Sequence, residues 1–268
     1  MRTLRILMKI CTNIGIRNGQ IRSKKSVRHT RSSTLELTPT GLKETIHPDT
    51  MQEDRETLTM TSEYHYLIDN GHGGLIDGVY QTAGKRSPMD PETGEVLYEG
   101  VNNRINARLI VNELKRMRIS ASLLVPEAED ISLAERIKRA NDEQKKRKCI
   151  LLSIHSNASG NGKDWANAKG ISLHIANKRS KTTDILASIM EDEFKQDFEG
   201  LTRWRGVKFD DFYMTRKSSS PSILCEIGFH DNLEEARKMV TDEWRNLLVK
   251  SISHAIIIFE DATPKVRN

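Results

Sequence analysis

Two short and almost uninterrupted apolar runs constrain the fold of this chain more than any other feature. Cys149 to Ile154 and Ser222 to Ile227 are bounded by polar sequence and are rich in Ile and Leu. A run of this kind is typical of a strand that is covered on both faces, as in the centre of a mostly parallel sheet. The two runs therefore predict the core of an α/β sheet with helices packed against it.

Segments with helical spacing alternate with strand-like segments along the chain. Ser132 followed by Glu135 has the spacing of a capping box, which predicts a helix start. Helices are predicted over residues 99–118, 132–148, 181–198 and 242–259. Further strands are predicted over residues 66–70, 119–125 and 170–176, with a weaker one over 209–215. The alternation predicts a three-layer α/β fold, with about six strands in a mixed, mostly parallel sheet and helices on both faces.

The positive charge of the chain is concentrated at its N-terminal end. The formal net charge is +5, and residues 1–62 hold 11 Lys and Arg residues against 6 Asp and Glu residues. Because these residues also lack a sustained apolar period, we predict a basic, disordered leader over residues 1–62. Residues 63–262 are predicted to form a catalytic domain, and residues 263–268 a short tail. The basic charge therefore says little about the chemistry of the domain.

The sequence contains few features that point to a membrane segment, a signal peptide or a disulfide bond. No apolar stretch approaches the roughly 18 residues of a membrane span, so no transmembrane segment is expected. The apolar stretch near Met1 is too short and broken for a signal peptide, and we expect synthesis in the cytoplasm. Cys11, Cys149 and Cys225 are far apart, and the latter two lie within the apolar runs. Buried free thiols are therefore predicted at Cys149 and Cys225, without a disulfide framework.

Four residues of the types that bind metals or transfer protons are predicted to converge at one edge of the sheet. His72 follows the first predicted strand in a glycine-rich loop, and His155 and Glu226 stand at or near the carboxyl ends of the two apolar runs. Ligands of open α/β sheets collect at this edge. Glu99 opens the helix after the first loop, so that loop can bring it back over the same edge.

These side chains match the requirements of hydrolytic zinc chemistry. Such a site takes three His, Glu or Asp ligands and keeps a fourth position open for water. His72, Glu99 and His155 supply the ligands, and Glu226 remains as the carboxylate that exchanges protons. Taken singly, the first three also suit a loop histidine, a helix N-terminal carboxylate and a core histidine. Glu226 within an apolar strand is costly to bury without a partner, which argues against an ordinary core role.

Five ordered sequence blocks span residues 66–258. They are Leu67-Ile68-Asp69-Asn70-Gly71-His72-Gly73-Gly74; Glu99 with Asn102-Asn103; Ser132-Leu133-Ala134-Glu135-Arg136 with Ala140-Asn141; Ser153-Ile154-His155-Ser156-Asn157-Ala158; and Cys225-Glu226-Ile227-Gly228-Phe229 with Asn232. These blocks resemble the catalytic domain of N-acetylmuramoyl-L-alanine amidases of the amidase-3 type. Five blocks in the same order are poorly explained by chance.

The resemblance implies a Zn²⁺ enzyme that hydrolyses the amide between the muramoyl lactyl group and L-alanine of peptidoglycan. It implies that the metal ligands are His72, Glu99 and His155, and that Glu226 is the acid/base. It also implies that the substrate-binding residues are Asn157, Arg136 and Gly228. For Arg136 the alternative is an exposed arginine on a helix surface. Peptidoglycan is the expected partner, and no nucleic acid is expected, although the basic leader alone would suit one.

The sequence also departs from the family pattern. Asn70 stands where proline is usual and Ser156 where alanine is commoner. The interval from His72 to Glu99 is long, so residues 80–97 are interpreted as an enlarged loop beside the metal. This loop makes Glu92 and Glu95 alternatives to Glu99 as the ligand. Glu99 is preferred because it precedes the Val-Asn-Asn helix, as in the family block.

Other candidates have weaker support. His174 and His230 are interpreted as surface or sheet residues, while Trp204 and Arg205 either line a glycan groove or pack against the core.

Three functions remain open on the sequence. They are the amidase, a zinc peptidase or carboxypeptidase of other peptidoglycan specificity, and a non-catalytic peptidoglycan-binding domain. Neither an export signal nor a wall-binding repeat is recognised, which suits a phage endolysin that a holin releases onto the cell wall. The alternative is a secreted or periplasmic cell-wall hydrolase.

Overall fold

The computed structural model describes residues 35–38, 41–44, 62–160 and 162–263. The chain divides into two compact units, residues 1–59 and 60–268. In the first unit, strands β1 (Leu35–Thr38) and β2 (Gly41–Glu44) pair antiparallel. These strands are not predicted from the sequence, and the rest of the predicted leader and the 264–268 part of the tail lie outside the described residues.

The second unit contains a six-stranded sheet and a small two-stranded ribbon. The strands are β3 (His65–Asn70), β4 (Leu75–Ile76), β5 (Val79–Tyr80), β6 (Ala121–Leu123), β7 (Cys149–Asn157), β8 (Ile171–Ile175), β9 (Trp204–Phe209) and β10 (Ser222–Phe229). The order in the large sheet is β6-β3-β7-β10-β8-β9. Among the strands that the structure describes in this sheet, only the β10–β8 pair is antiparallel, so the predicted mixed and mostly parallel sheet is confirmed.

Six described helices accompany the sheet. They are α1 (Glu99–Arg116), α2 (Leu133–Lys146), α3 (Lys181–Asp197), α4 (Tyr213–Lys217), α5 (Leu233–Met239) and α6 (Asp242–Ala262). The predicted cap of α2 is present, because the Ser132 hydroxyl accepts a hydrogen bond from the Glu135 amide. Ser180 and Thr241 cap α3 and α6 in the same way. Each cap satisfies an amide that the first helical turn leaves without a partner.

The two faces of the sheet are built differently because side chains alternate along each strand. On one face, residues such as Ile68, Leu152 and Cys225 join a large core with α1, α3, α5 and α6. On the other face, Leu67 and Leu151 form a smaller cluster with α2 and α4. Towards the strand ends on that second face, apolar residues give way to the polar side chains of the site described below.

The sequence-based element boundaries differ from the structure mainly at the sheet edge. A weak strand over residues 209–215 is wrong, because β9 ends at Phe209 and α4 begins at Tyr213. The side chains of β9 are half-buried or exposed and Gly206 interrupts them, so they give no apolar run. The short helix α5 is not predicted from the sequence.

Two further expectations concern the cysteines and the membrane. Cys149 and Cys225 are buried free thiols, as predicted, and Cys11 lies outside the described residues. Within the described part of the chain, no helix combines the length and apolar character needed to cross a membrane.

Candidate active site

Three predicted ligands meet at the carboxyl edge of the sheet. His72 lies in the loop after β3, Glu99 is the first residue of α1, and His155 lies near the end of β7. The His72 Nε2 atom lies 3.3 Å from Glu99 Oε2, and the His155 Nδ1 atom lies 3.1 Å from Glu99 Oε1. One ligand atom from each residue lies within 4.8 Å of the other two.

The three donor side chains are close enough to bind one metal ion. Zn²⁺ binds nitrogen and oxygen at about 2.0–2.1 Å, which places tetrahedral ligand atoms about 3.3 Å apart. The 3.3 and 3.1 Å separations run to different oxygen atoms of Glu99, and one ligand atom from each of the three residues lies within 4.8 Å of the other two. Both histidine side chains are partly accessible, at 20% for His72 and 14% for His155, so one side of the cluster faces solvent. The donor set is therefore suited to a metal with an open position.

Glu99 is held as a carboxylate in the interior. It is 1% exposed, and its Oε1 atom accepts hydrogen bonds from the Ser156 amide and the Asn103 side chain. Burial alone raises the pKa of Glu99, but hydrogen bonds and charges from His155 and His72 outweigh it and hold that pKa well below its usual range. An ionised carboxylate is the form that binds a metal ion.

Glu226 lies directly beside this cluster. It sits on β10 opposite His155 on β7, so the two side chains share one face of the sheet. Glu226 is 8% exposed, and its Oε2 atom has no hydrogen-bond partner among the described residues. Burial raises the pKa of Glu226 to about 7. A carboxyl group with that pKa exchanges protons readily near neutral pH.

The enlarged loop does not bring its other glutamates to the cluster. Glu92 is 74% exposed and lies 3.0 Å from Arg237, and Glu95 is exposed. Asp90 of the same loop accepts two hydrogen bonds from Arg237, at 2.6 and 2.9 Å. The loop is thereby attached to α5, and Glu99 is the glutamate that lies between the two histidines.

Arg136 lies in the interior and not on a helix surface, so the surface alternative is wrong. Its side chain is 1% exposed, and it donates to Asp69 Oδ1 at 2.7 Å, the Asn70 carbonyl at 3.0 Å and the His72 carbonyl at 3.0 Å. These bonds hold the end of β3 and its loop. Contact between Arg136 and substrate remains a prediction.

Gly228 and Asn157 lie at the ends of the two central strands. Gly228 has a φ of 137°, and a Cβ atom there would lie 2.8 Å from the Met239 sulfur. Only glycine suits that position, where the register of β10 against β7 shifts just after Glu226. The Asn157 side chain accepts a hydrogen bond from the Ala158 amide. Substrate contacts of both residues remain predictions.

A cavity of about 290 Å³ opens next to the ligands. Its walls combine the loop after β3, the start of α2 and the end of β7. The lining residues are Asp69, His72, Asp130, Ile131, Ser132, Leu133, Arg136 and His155. The cavity borders the metal-binding cluster through His72 and His155, on the side of α2.

The sequence interpretation missed His230, which is buried at 3% exposure next to Glu99. Its Nδ1 atom lies 3.9 Å from Glu99 Oε2 and 3.0 Å from the Ser156 hydroxyl. The sequence feature that indicated a position near the site is that His230 directly follows the block that contains Glu226. His174 is a sheet residue on β8, where its Nδ1 atom lies 2.6 Å from Asp210.

Trp204 and Arg205 occupy the edge strand β9. The Trp204 ring stacks on Phe194 at 6.0 Å, and its indole N–H donates to Glu191. The Arg205 guanidinium lies 5.0 Å from the centre of the Phe229 ring. These contacts favour the packing interpretation over a glycan groove.

Comparison with known proteins identifies the family of the chain. Residues 67–257 match the family described as N-acetylmuramoyl-L-alanine amidase. The chain is 27% identical over 197 residues to the YqiI protein of Bacillus subtilis (strain 168), covering 72% of this chain and 84% of that protein. It is 28% identical over 175 residues to the N-acetylmuramoyl-L-alanine amidase CwlM of Bacillus licheniformis, covering 65% of this chain and 59% of CwlM.

A solved structure shows the same fold. The crystal structure of N-acetylmuramoyl-L-alanine amidase from Clostridium difficile 630 has a TM-score of 0.62 and 26% sequence identity. It covers 75% of this chain and 98% of the amidase chain. The family match extends over most of the second unit, from β3 to α6, and includes every residue of the cluster. This chain therefore belongs to the N-acetylmuramoyl-L-alanine amidase family, the peptidoglycan amidases of the amidase-3 type.

Proposed function

We propose that the chain is a zinc-dependent amidase that cuts the bond between N-acetylmuramoyl residues and L-alanine in peptidoglycan. The observation that carries this proposal is the convergence of His72, Glu99 and His155 with the buried carboxyl of Glu226 beside them. Family membership supplies the class of bond. The donor types favour zinc, which takes nitrogen and oxygen donors in tetrahedral sites.

His72, Glu99 and His155 would hold the ion. When bound there, zinc lowers the pKa of water and polarises the scissile carbonyl. Glu226 faces the same space and takes a proton from the attacking water. It then delivers that proton to the departing amine of L-alanine, so the carboxylate is regenerated. The pKa of Glu226, raised to about 7, suits both halves of this exchange.

Metal analysis and digestion of purified sacculi test the proposal together. We expect one zinc per chain, and new L-alanine amino termini together with intact lactyl-muramic acid after digestion. Glu226→Gln should retain the zinc and lose turnover by several orders of magnitude. The exposed Glu95→Gln serves as the matched control and should behave as wild type. Reducing sugar ends in place of new amino termini would identify a glycosidase and contradict the proposal.

A zinc peptidase or carboxypeptidase of other peptidoglycan specificity is the second candidate, because the same ligands and acid/base support it. Product mass spectrometry separates the two, since a peptidase leaves the lactyl–alanine bond intact. The third candidate is a non-catalytic peptidoglycan-binding domain. It predicts the same sacculus binding for wild type and Glu226→Gln, with no products from either.

A phage endolysin is the biological role that we propose for this activity, with synthesis in the cytoplasm and release through a holin. Expression in a bacterial host with and without a membrane pore tests it. Lysis that depends on the pore supports the endolysin, whereas lysis without a pore favours an exported cell-wall hydrolase.

A further inference from the structure

The metal ligand His72 has a backbone conformation that is unusual for its residue type. Its φ is 69°, in the left-handed region that favours glycine. The residue lies between Gly71 and Gly73 in the loop after β3, where the chain itself has little stiffness. Something outside the loop has to hold His72 in this conformation if its imidazole is to face Glu99 and His155.

Two buried arginines meet at the carbonyl oxygen of His72. Arg104 donates from Nη1 at 2.6 Å, and Arg136 donates from Nη2 at 3.0 Å. Arg136 also bonds to Asp69 and Asn70 at the end of β3. A carbonyl oxygen accepts two hydrogen bonds, so both acceptor positions of His72 are used. The peptide group that follows His72 is thereby fixed.

Arg104 is the more unusual of the two. It is 7% exposed, and its guanidinium hydrogen-bonds to the backbone carbonyls of His72, Gly100, Glu127 and Glu129. In contrast to Arg136, which pairs with Asp69, it forms no direct ion pair within residues 62–160 and 162–263. A buried cation without a carboxylate partner is costly. Its contacts therefore point to a role in joining these backbone segments.

The position of Arg104 links two of the ligands. It lies on α1, the helix that begins with Glu99, and it reaches across to the loop that carries His72. The two segments are in close contact, because a Cβ atom at Gly100 would lie 2.0 Å from the Gly73 carbonyl oxygen. A shift of the loop would therefore change the separation of His72 and Glu99, which is 3.3 Å.

We propose that Arg104 is a positioning residue for the metal site, which fixes His72 relative to Glu99 through the His72 carbonyl. Arg136 donates to the same carbonyl oxygen and also bonds to the end of β3. This inference rests on the proposed function only in taking Zn²⁺ as the bound ion. Partners that orient metal ligands typically change metal affinity ten- to a hundredfold when they are removed.

The test is Zn²⁺ affinity, measured by competition with a chromophoric chelator in the full chain. Arg104→Leu should weaken binding ten- to a hundredfold, and Arg104→Lys should fall between this variant and wild type, because lysine keeps the charge without the fork of donors. Arg108→Leu is the matched control on an exposed position of the same helix and should leave the affinity unchanged. Thermal unfolding of the metal-free proteins shows that each is folded, and Arg104→Lys carries the test if Arg104→Leu does not fold.

A double-mutant cycle separates positioning from general stability. In a His72→Ala background, Arg104→Leu should have no further effect on Zn²⁺ affinity, since the ligand that it positions is gone. An equal loss in both backgrounds, or no loss in the wild-type background, overturns the proposal. A wild-type chain that binds no Zn²⁺ would instead overturn the proposed function.

Discussion

At the scale of single residues, the site depends on a carboxyl group that is largely shielded from bulk solvent. Glu226 occupies the middle of an apolar strand, with His155 and Ser172 as its neighbours across the sheet. The cost of ionising a carboxyl group there appears as the rise of its pKa to about 7. The proposed catalytic role of Glu226 and its cost in stability therefore have the same physical origin, the burial of its carboxyl group.

The stability penalty of Glu226 gives a pH-dependent expectation. The pKa of Glu226 is about 7 in the folded protein and 4.5 without the protein environment, so the folded state binds the extra proton between these values. Stability consequently falls as the pH rises through that range. Glu226→Gln should stabilise the metal-free protein at pH 8 by on the order of 2–3 kcal/mol, and by much less at pH 5. Urea denaturation at both pH values measures this, and an equal effect at both would contradict it.

Gly228 carries a second expectation at this scale. An alanine there combines a φ of 137° with a Cβ atom 2.8 Å from the Met239 sulfur. Gly228→Ala should destabilise the protein by about 2–4 kcal/mol and lower turnover, because Glu226 lies two residues away on the same strand. Gly200→Ala is the control: its φ is 76°, but a Cβ atom there has open space. If urea denaturation gives equal losses for both, contact with Met239 is not the cause.

At the scale of elements, sequence patterns predict those segments whose burial is uniform. The central strands β7 and β10 are recognisable because both of their faces are covered, and α6 because its apolar residues repeat at helical spacing. The edge strand β9 has neither feature, since it is half-buried and its neighbours lie on one side only. The helix α5 has seven residues, too few for a periodic pattern to emerge.

The enlarged loop before α1 shows an interaction that no sequence pattern contains. Arg237 of α5 bonds to Asp90 through two nitrogen atoms and also approaches Glu92. The hydrogen bond from Arg237 holds the pKa of Asp90 well below its usual range, so this carboxylate stays ionised further into acid pH. The pair joins segments 147 positions apart in the sequence, which only the folded chain brings together.

Arg237→Met should release this loop from α5. We expect proteases to cut residues 85–97 several-fold faster, and turnover to fall several-fold, because the same loop leads into Glu99. Zn²⁺ affinity should change little, since the ligands keep their other contacts. Lys238→Met removes a neighbouring ion pair with Glu234 and provides the control. Equal cleavage rates for the two variants would show that Arg237 does not hold the loop.

At the scale of the whole molecule, the topology of the sheet predicts where the ligands gather, but not how they are oriented. The order of strands brings His72, His155 and Glu226 to one edge, and this follows from placing each after or near the end of a strand. The φ of His72, the burial of His230 and the two arginines on one carbonyl depend on contacts between distant segments. No local sequence pattern contains those contacts, because they form only when distant segments of the chain fold together.

The division of the chain gives the last expectation. Residues 60–268 form one compact unit that contains the six-stranded sheet and every residue of the site. A variant that begins at Met60 should therefore fold with an unchanged midpoint of thermal unfolding and digest sacculi at the wild-type rate. The residues just after Met60 are needed, because the backbone amides of Glu63 and Tyr64 donate to the side chain of Glu260.

A variant that begins at His65, the first residue of β3, tests this boundary from the other side. The carboxylate of Glu260 is 2% exposed and accepts hydrogen bonds from the amides of Glu63 and Tyr64 and from the Tyr66 hydroxyl. This variant removes the two amides and keeps the hydroxyl. Each lost bond to a buried group costs about 1–3 kcal/mol, so the midpoint should fall by several degrees. If the variant that begins at Met60 also has a lower midpoint of thermal unfolding, and the two truncated variants unfold alike, the first unit contributes to the stability of the second. In that case, residue 60 does not mark a boundary of independent folding.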